Sequence, residues 1–182
     1  MSTTIEGLKP YALLGGKNAD ELWSTFNFIL RPTWLLIVLV PRWKYTPTLS
    51  LIGPIILAAI YTLSAISLFL DPDPDVETPD FSTFEGVVTL FKDPNAVFVG
   101  WIHYGAYDAL IGRWIAFDSV KRECSTLMHV LVIIPCLFLS LMLGPTGWLL
   151  YVVVIRNTFL LRHGKNNSDT ATSATTTKAK MN

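Results

Sequence analysis

Four long runs of apolar residues, separated by shorter polar segments, dominate the pattern along the chain. They lie at about residues 22–40, 49–70, 96–117 and 124–155. Each run supplies the ~20 residues that a helix needs to cross the hydrocarbon layer of a bilayer. The pattern therefore predicts an all-α, multi-pass transmembrane helix bundle with about four spans.

The segments that flank and interrupt this bundle, which we place at 22–161, are polar. Residues 1–21 are expected to lie outside the membrane, and residues 162–182 have the Ser, Thr, Ala, Asn and Lys composition of a disordered tail. Residues 71–80 read Asp-Pro-Asp-Pro-Asp-Val-Glu-Thr-Pro-Asp. Because proline interrupts helices, we expect an extended acidic loop there.

Residues 81–91 form a short apolar segment between the acidic loop and the third span. Their apolar side chains recur at helical spacing, but the segment is too short to cross a bilayer. We therefore expect a helix that lies in the membrane interface. Ser82 and Glu85 have the spacing of a capping box, which predicts Ser82 as the residue that caps this helix.

The last apolar run allows two topologies, because Gly and Pro interrupt it at 144–147. A single broken helix would leave eight Lys and Arg residues on the side of the N-terminus and four on the other side. A hairpin at Pro145 would place nine beside the short basic loops and three opposite, which obeys the positive-inside rule better. Since the limb after Gly147 is short, four spans with a broken last helix are the prediction, and the hairpin is the alternative.

The composition supports a membrane location. Of 182 residues, 51% are hydrophobic and 15% are charged, and the mean hydropathy is +0.44. Soluble domains carry roughly 25% charged residues, so the composition disfavours a soluble domain. The net charge is zero, which gives no support to a protein that binds nucleic acid. The predicted partner is the lipid bilayer.

The third span carries polar and aromatic side chains that are unusual inside a membrane. They are Trp101, His103, Tyr104, Tyr107, Asp108 and Arg113. Unpaired charges are costly in the bilayer, so such residues usually face the bundle interior and mark function. His103, Tyr104, Tyr107 and Asp108 fall within an arc of roughly 140° on this helix, with His103 and Asp108 at its two edges. Arg31 lies near the middle of the first span, and its similar depth predicts a buried Arg31–Asp108 ion pair.

Structural roles remain open for these residues. Asp108 could serve only as a structural partner of Arg31 or of a tyrosine hydroxyl. His103 could likewise be only a hydrogen-bonded residue of the bundle. His129, near the start of the last run, is expected to be structural, and Arg113 to extend toward the interface. The spacing of His and Cys predicts no metal site. A path for protons along His103 and Asp108 is a weaker alternative, since one short row of polar side chains gives no continuous route across the membrane.

Several residues of the third span and of the run after it have a specific spacing. They are Trp101-Ile102-His103, Asp108, Arg113, His129, Cys136 and Pro145-x-Gly147, with Pro32 and Pro41 around the first apolar run. This pattern resembles that of the abscisic-acid-deficient-4-like membrane proteins, whose plant members are linked to neoxanthin formation. The resemblance covers roughly residues 25–160 and includes neither Arg31 nor the acidic loop.

The resemblance implies an enzyme that isomerises an epoxy-xanthophyll of the violaxanthin type to an allenic xanthophyll of the neoxanthin type. The reaction opens an epoxide and removes a neighbouring C–H without net redox change, so no cofactor is expected. His103 and Asp108 would act as acid and base, and Arg113 or Arg31 would stabilise negative charge on oxygen. The candidates for ligand binding or structural support are Arg31, Trp101, Tyr104, Tyr107 and His129.

The alternative is a non-catalytic membrane protein that binds a carotenoid or another lipid and assists assembly or hand-over. Its polar residues on the third span would then anchor hydroxyl groups. The resemblance further implies a plastid membrane, although residues 1–21 show no transit peptide. The expected partners are a carotenoid ligand, a second copy of the chain or a partner enzyme.

Overall fold

The computed structural model describes residues 5–70 and 80–160. The structure is 80% helical and has no strand in this part of the chain, which confirms the all-α class. The acidic loop, apart from Asp80, and the predicted tail at 162–182 lie outside the described residues.

The described residues form a series of helices that differ greatly in length. In chain order they are α1 (Ala19–Leu39), α2 (Thr46–Leu70), α3 (Phe84–Leu90), α4 (Pro94–Lys121), α5 (Thr126–Leu143) and α6 (Pro145–Leu149), which continues as a π-helix over Leu150–Leu160. Helices α1, α2 and α5 are long and apolar enough to cross a membrane. Helix α4 has 28 residues, and its crossing as a fourth span stays a prediction.

Helix α1 begins with a pair of reciprocal capping bonds. The Asn18 side-chain oxygen accepts a hydrogen bond from the Glu21 N–H at 3.0 Å, and the Glu21 carboxylate accepts one from the Asn18 N–H at 2.9 Å. This capping box satisfies two N–H groups that a helix start otherwise leaves without partners. The helix consequently starts before the apolar run at 22–40, and it continues through Pro32.

Helix α3 is capped by Thr83, whose hydroxyl accepts a hydrogen bond from the Gly86 N–H at 3.1 Å. The prediction that Ser82 caps this helix was wrong. The Ser82 hydroxyl instead donates to the Asp80 carboxylate at 2.6 Å, because Asp80 lies two residues earlier and competes for it. Hydrogen bonds from Ser82 hold the pKa of the Asp80 carboxyl below its usual value. Membrane binding by α3 stays a prediction.

The chain divides into two compact units. Unit 1 comprises Met1–Leu35 and Thr48–Leu110, and unit 2 comprises Leu36–Pro47 and Ile111–Asn182. The boundaries fall inside α1 and α4, so each of these helices contributes its first part to unit 1 and its last part to unit 2.

Unit 1 has an apolar core built from α1, α2, α4 and the segment before α1. Its buried side chains are Tyr11, Ala19, Leu22, Phe26, Leu57, Phe98, Val99, Ile102 and Ala106. Helices α1 and α2 approach closely at Gly53, where a Cβ atom would lie 2.3 Å from Thr33 Oγ1. The Thr33 hydroxyl donates to the Ser50 carbonyl at 3.3 Å. Small residues allow such close contact between apolar helices.

The segment before α1 is attached to the start of α4. The Tyr11 hydroxyl donates to the Asn95 carbonyl at 3.1 Å, and the Asn95 amide donates to the Gly7 carbonyl at 2.9 Å. The Lys9 N–H donates to the Asn95 side chain at 3.0 Å. Burial, together with the nearby Asp93 carboxylate, raises the pKa of the Tyr11 hydroxyl above its usual value. The described part of the predicted extramembrane segment is therefore attached to α4 within unit 1.

Unit 2 contains a helical hairpin formed by α5 and α6. Gly144 separates them with a φ of 51° and a ψ of −106°, and Pro145 follows as the first residue of α6. A Cβ atom on Gly147 would lie 2.3 Å from the Ser140 nitrogen and 2.4 Å from the Cys136 carbonyl oxygen, so the chain folds back on itself. The single broken helix favoured from the sequence was wrong here, because Gly144 supplies the left-handed backbone that permits a reversal.

Helix α5 widens into a π-helical turn at His129–Ile133. Pro135 follows it, and a proline ring clashes with the carbonyl four residues earlier, which here belongs to Leu131. The wider turn accommodates that carbonyl without ending the helix.

Candidate functional site

His103 lies among three tyrosine rings in unit 1. Its imidazole stacks on the Tyr107 ring, with 4.6 Å between centroids and 29° between planes. The Tyr61 ring lies 5.3 Å away and the Tyr104 ring 6.0 Å away. Within the described residues, the imidazole nitrogens make no hydrogen bond. The structure thus brings His103, Tyr104 and Tyr107 together, as their shared helix face predicts, and adds Tyr61 from α2.

Asp108 is partly buried on α4, five residues after His103. In the part of the chain that the structure describes, its carboxylate has neither a hydrogen bond nor an ion pair. Arg31 is exposed on α1 and likewise forms no ion pair with a described residue. The predicted Arg31–Asp108 pair is therefore wrong. Equal depth in two helices does not suffice, because the side chains must also point toward each other.

A cleft of about 470 Å³ opens in unit 1 beside the first turns of α1 and α4. Its walls are mainly apolar and include Phe98 and two indoles, Trp23 and Trp101, whose rings lie 6.2 Å apart. Asp20 and Lys92 add two charged groups to the lining. The cleft therefore suits an apolar ring that carries a polar substituent. Trp101 is the predicted site residue that contributes to it.

Arg113 and His129 lie in unit 2. The Arg113 guanidinium donates to the Pro47 carbonyl at 3.0 Å and lies 5.1 Å from the centre of the Phe117 ring. His129 is buried, and its Nε2 donates to the Val38 carbonyl at 3.1 Å, because a carbonyl oxygen can only accept. Its Nδ1 has no partner among the described residues. The roles predicted for both residues stay predictions.

Asp118 is the centre of a polar cluster in unit 2, which we call the Asp118 cluster. One carboxylate oxygen accepts hydrogen bonds from the Tyr151 hydroxyl at 2.8 Å, from Arg122 Nε at 2.8 Å and from Arg156 Nε at 3.0 Å. The Arg156 guanidinium also lies 5.7 Å from the centre of the Trp114 ring. These three donors lower the free-energy cost of placing a carboxylate beside apolar helices, since each supplies a charged or hydroxyl partner.

Sequence reasoning did not identify this cluster as a site. The spacing of Asp118 and Arg122, four residues apart on a helix, does indicate an ion pair between them. Tyr151 and Arg156 join them only because the chain reverses at Gly144, which local patterns left undecided.

The described residues offer no evident place for a metal ion, since no three His, Cys, Asp or Glu side chains in 5–70 and 80–160 are grouped suitably. No curated protein and no solved structure matches the chain. A family model described as ABA DEFICIENT 4-like matches residues 21–151, a region that contains all but the first two residues of α1, the whole of α2 to α5 and every candidate site residue. The chain belongs to the ABA DEFICIENT 4-like family, and its apolar helices fit a membrane protein of that family.

Proposed function

We propose that this protein isomerises an epoxy-xanthophyll to an allenic xanthophyll inside a membrane, by acid–base chemistry on α4. One observation carries the proposal: His103 and Asp108 lie on one helix of the family match, and neither side chain has a hydrogen bond among the described residues. Titratable groups without hydrogen-bond partners in an apolar environment are typical of functional sites. A plastid membrane, where such pigments occur, belongs to this proposal.

The reaction needs one proton donor and one proton acceptor. The acid protonates the epoxide oxygen while the C–O bond breaks, and the base removes the proton from the neighbouring vinylic carbon, which leaves an allene and a hydroxyl group. One proton then returns from base to acid, so atoms and electrons balance without a redox partner. Acid and base groups of this kind each contribute roughly 10²–10⁴-fold to a rate.

We assign the acid to Asp108 and the base to His103. A neutral carboxylic acid and a neutral imidazole cost less to place in an apolar layer than two ions. Five residues on a helix correspond to a rise of about 7.5 Å and a rotation of roughly 140°, so the reacting atoms would lie between the two edges of this helix face. The rings of Tyr104 and Tyr107, both 57% exposed, supply aromatic contact area beside His103 for a polyene.

Expression in cells that accumulate violaxanthin, followed by chromatography of the pigments, tests the proposal. The parent chain should form an allenic product, and Asp108→Asn and His103→Gln should lower its yield by roughly 10²-fold or more. Glu85→Gln is the matched control, because this carboxylate is exposed on α3. Unchanged product from Asp108→Asn, at equal protein abundance, would contradict the assignment.

The cleft favours a second candidate function, non-catalytic binding of a carotenoid or another lipid. A binding protein would retain pigment through purification, form no product and lose the pigment when Trp101→Ala opens the cleft. Trp43→Ala, which removes an exposed indole of unit 2, is the control. A catalyst would instead keep the pigment in Asp108→Asn while losing turnover, so the two functions are distinguishable.

A further inference from the structure

The Asp118 cluster holds two guanidinium groups in fixed positions on unit 2. Both arginines use Nε to reach the same carboxylate oxygen, at 2.8 Å for Arg122 and 3.0 Å for Arg156. Their side chains are 24% and 33% exposed, whereas that of Asp118 is 16% exposed. The terminal N–H groups of both arginines make no hydrogen bond to a described residue. The carboxylate therefore orients two partly open guanidinium groups side by side.

The cluster has an excess of positive charge. Two guanidinium groups surround one carboxylate, so one charge remains uncompensated among the residues that the structure describes. Basic residues outnumber acidic ones in the described part of unit 2. Its described basic residues are Arg42, Lys44, Arg113, Lys121, Arg122 and Arg156, and its described acidic residues are Asp118 and Glu123. A monoanion that binds beside both arginines would neutralise the cluster.

The residues around the cluster indicate what kind of anion it meets. The same unit exposes large apolar side chains on α5 and the limb after it, including Leu127 at 69%, Leu131 at 64% and Val153 at 58%. Such surfaces contact acyl chains in a bilayer, and Asp118 lies only three residues before the end of α4. The guanidinium groups are thus expected at the depth of the headgroups. Guanidinium groups bind phosphate oxygens in bidentate geometry.

We propose that the Asp118 cluster binds the phosphate of an anionic phospholipid through Arg122 and Arg156. A phosphodiester carries one negative charge, which matches the uncompensated charge of the cluster. Basic pockets between membrane helices bind phosphate headgroups in this way. Arg156 is additionally oriented by the Trp114 ring, 5.7 Å away, so the site is preformed and loses little side-chain entropy on binding.

Thermal unfolding of the delipidated full chain in a neutral detergent tests this site. Three probes are compared: phosphatidylglycerol, phosphatidylcholine and inorganic phosphate at equal concentration. Phosphatidylglycerol should raise Tm, and phosphatidylcholine should not, since its headgroup has no net charge. If inorganic phosphate reproduces the whole shift, the cluster binds a free anion and the lipid assignment is overturned.

Variants of the cluster locate the binding. Arg156→Gln and Arg122→Gln should each weaken phosphatidylglycerol binding by roughly tenfold or more, as expected for loss of a hydrogen bond between charged groups. Lys121→Gln removes the same charge from an exposed neighbour and should have little effect. Equal weakening by Lys121→Gln would overturn the proposal, because it would indicate attraction by net charge alone.

A last pair of variants covers the case in which Arg156→Gln does not fold. Arg156→Lys keeps the charge and removes the planar fork, so binding should weaken while Tm without lipid changes little. Asp118→Asn removes the competing carboxylate charge but keeps a side-chain oxygen that can accept from both arginines, so it should lower stability yet preserve phosphatidylglycerol binding. Loss of binding in Asp118→Asn together with full binding in Arg156→Lys would contradict a phosphate site.

Discussion

The Tyr151 hydroxyl donates a hydrogen bond of 2.8 Å to the Asp118 carboxylate, across 33 residues of sequence. Asp118 belongs to α4, whereas Tyr151 lies on the limb that returns after Gly144. Tyr151 is fully buried, so this bond is protected from water. It attaches the end of the hairpin to α4 within unit 2 and thereby creates the Asp118 cluster.

Tyr151→Phe should destabilise the protein by about 1–3 kcal/mol, because it removes a buried hydrogen bond to a charged group and leaves the ring in place. The free energy of unfolding in detergent, from titration with denaturant, measures this loss. Tyr45→Phe is the control, since Tyr45 is 50% exposed in the loop after α1. Equal stability of Tyr151→Phe and the parent would show that the bond contributes nothing.

Gly147→Ala should open the hairpin. The added Cβ atom would meet backbone atoms of Ser140 and Cys136 at 2.3 Å and 2.4 Å, and backbone cannot move aside as a flexible side chain can. Overpacking of this kind costs about 1–3 kcal/mol, occasionally more. Gly100→Ala on α4 is the matched control, because its Cβ would meet only the Phe91 ring at 3.5 Å. Cysteine crosslinking between the two limbs, as well as Tm, distinguishes opening from general unfolding.

Asn18→Ala should destabilise α1 by about 1 kcal/mol, because the capping bonds at its first turn are lost. Asn27→Ala removes an amide of the same helix that donates to the Trp23 carbonyl at 2.9 Å, and it should have a smaller effect. Hydrogen exchange of the amides in the first turn of α1 measures the change. Faster exchange in Asn27→Ala than in Asn18→Ala would argue against the capping role.

The Cys124 thiol should react slowly at neutral pH, because burial raises its pKa above the usual value. The nearby Arg42 guanidinium, which also donates to the Cys124 carbonyl, lowers the pKa in part. Arg42→Gln removes this lowering, so the pKa should rise further and the pH midpoint of alkylation should move upward. The measurement is the pH dependence of iodoacetamide alkylation in a Cys136→Ala background.

Two variants make this thiol experiment decisive. Arg42→Lys keeps the positive charge and should retain a midpoint close to that of the parent chain. Lys44→Gln removes a charge from the same loop and should leave the midpoint nearly unchanged. A midpoint that moves downward in Arg42→Gln would mean that the loop opens and exposes the thiol, and the electrostatic explanation would then be wrong.

Helix positions were largely predictable from the sequence, because apolar runs of membrane length leave few alternatives to a helix. The run at 49–70 became Thr46–Leu70, and the run at 96–117 became Pro94–Lys121. Side-chain partners were less predictable. Depth along a helix suggested that Arg31 meets Asp108, but contact also depends on how each helix is rotated about its axis, which apolar periodicity does not determine.

The candidate site residues likewise include some contacts that the sequence predicts and others that it does not. The grouping of His103 with Tyr104 and Tyr107 follows from their spacing on one helix, so the sequence predicted it. The Asp118 cluster depends on the direction of the chain after Gly144. Two sequence features gave opposite predictions of that direction. The short segment after Gly147 favoured a broken helix, whereas the distribution of basic residues favoured a reversal.

The close contacts at Gly53 and Gly147 have a consequence for how stability depends on temperature. Lipid tails are as apolar as the helices, so separating two helices in a bilayer exposes little apolar surface to water. The large heat-capacity change of soluble proteins comes from such exposure. Helix contacts of this type should therefore lose free energy almost linearly on heating, without the curvature that produces cold denaturation.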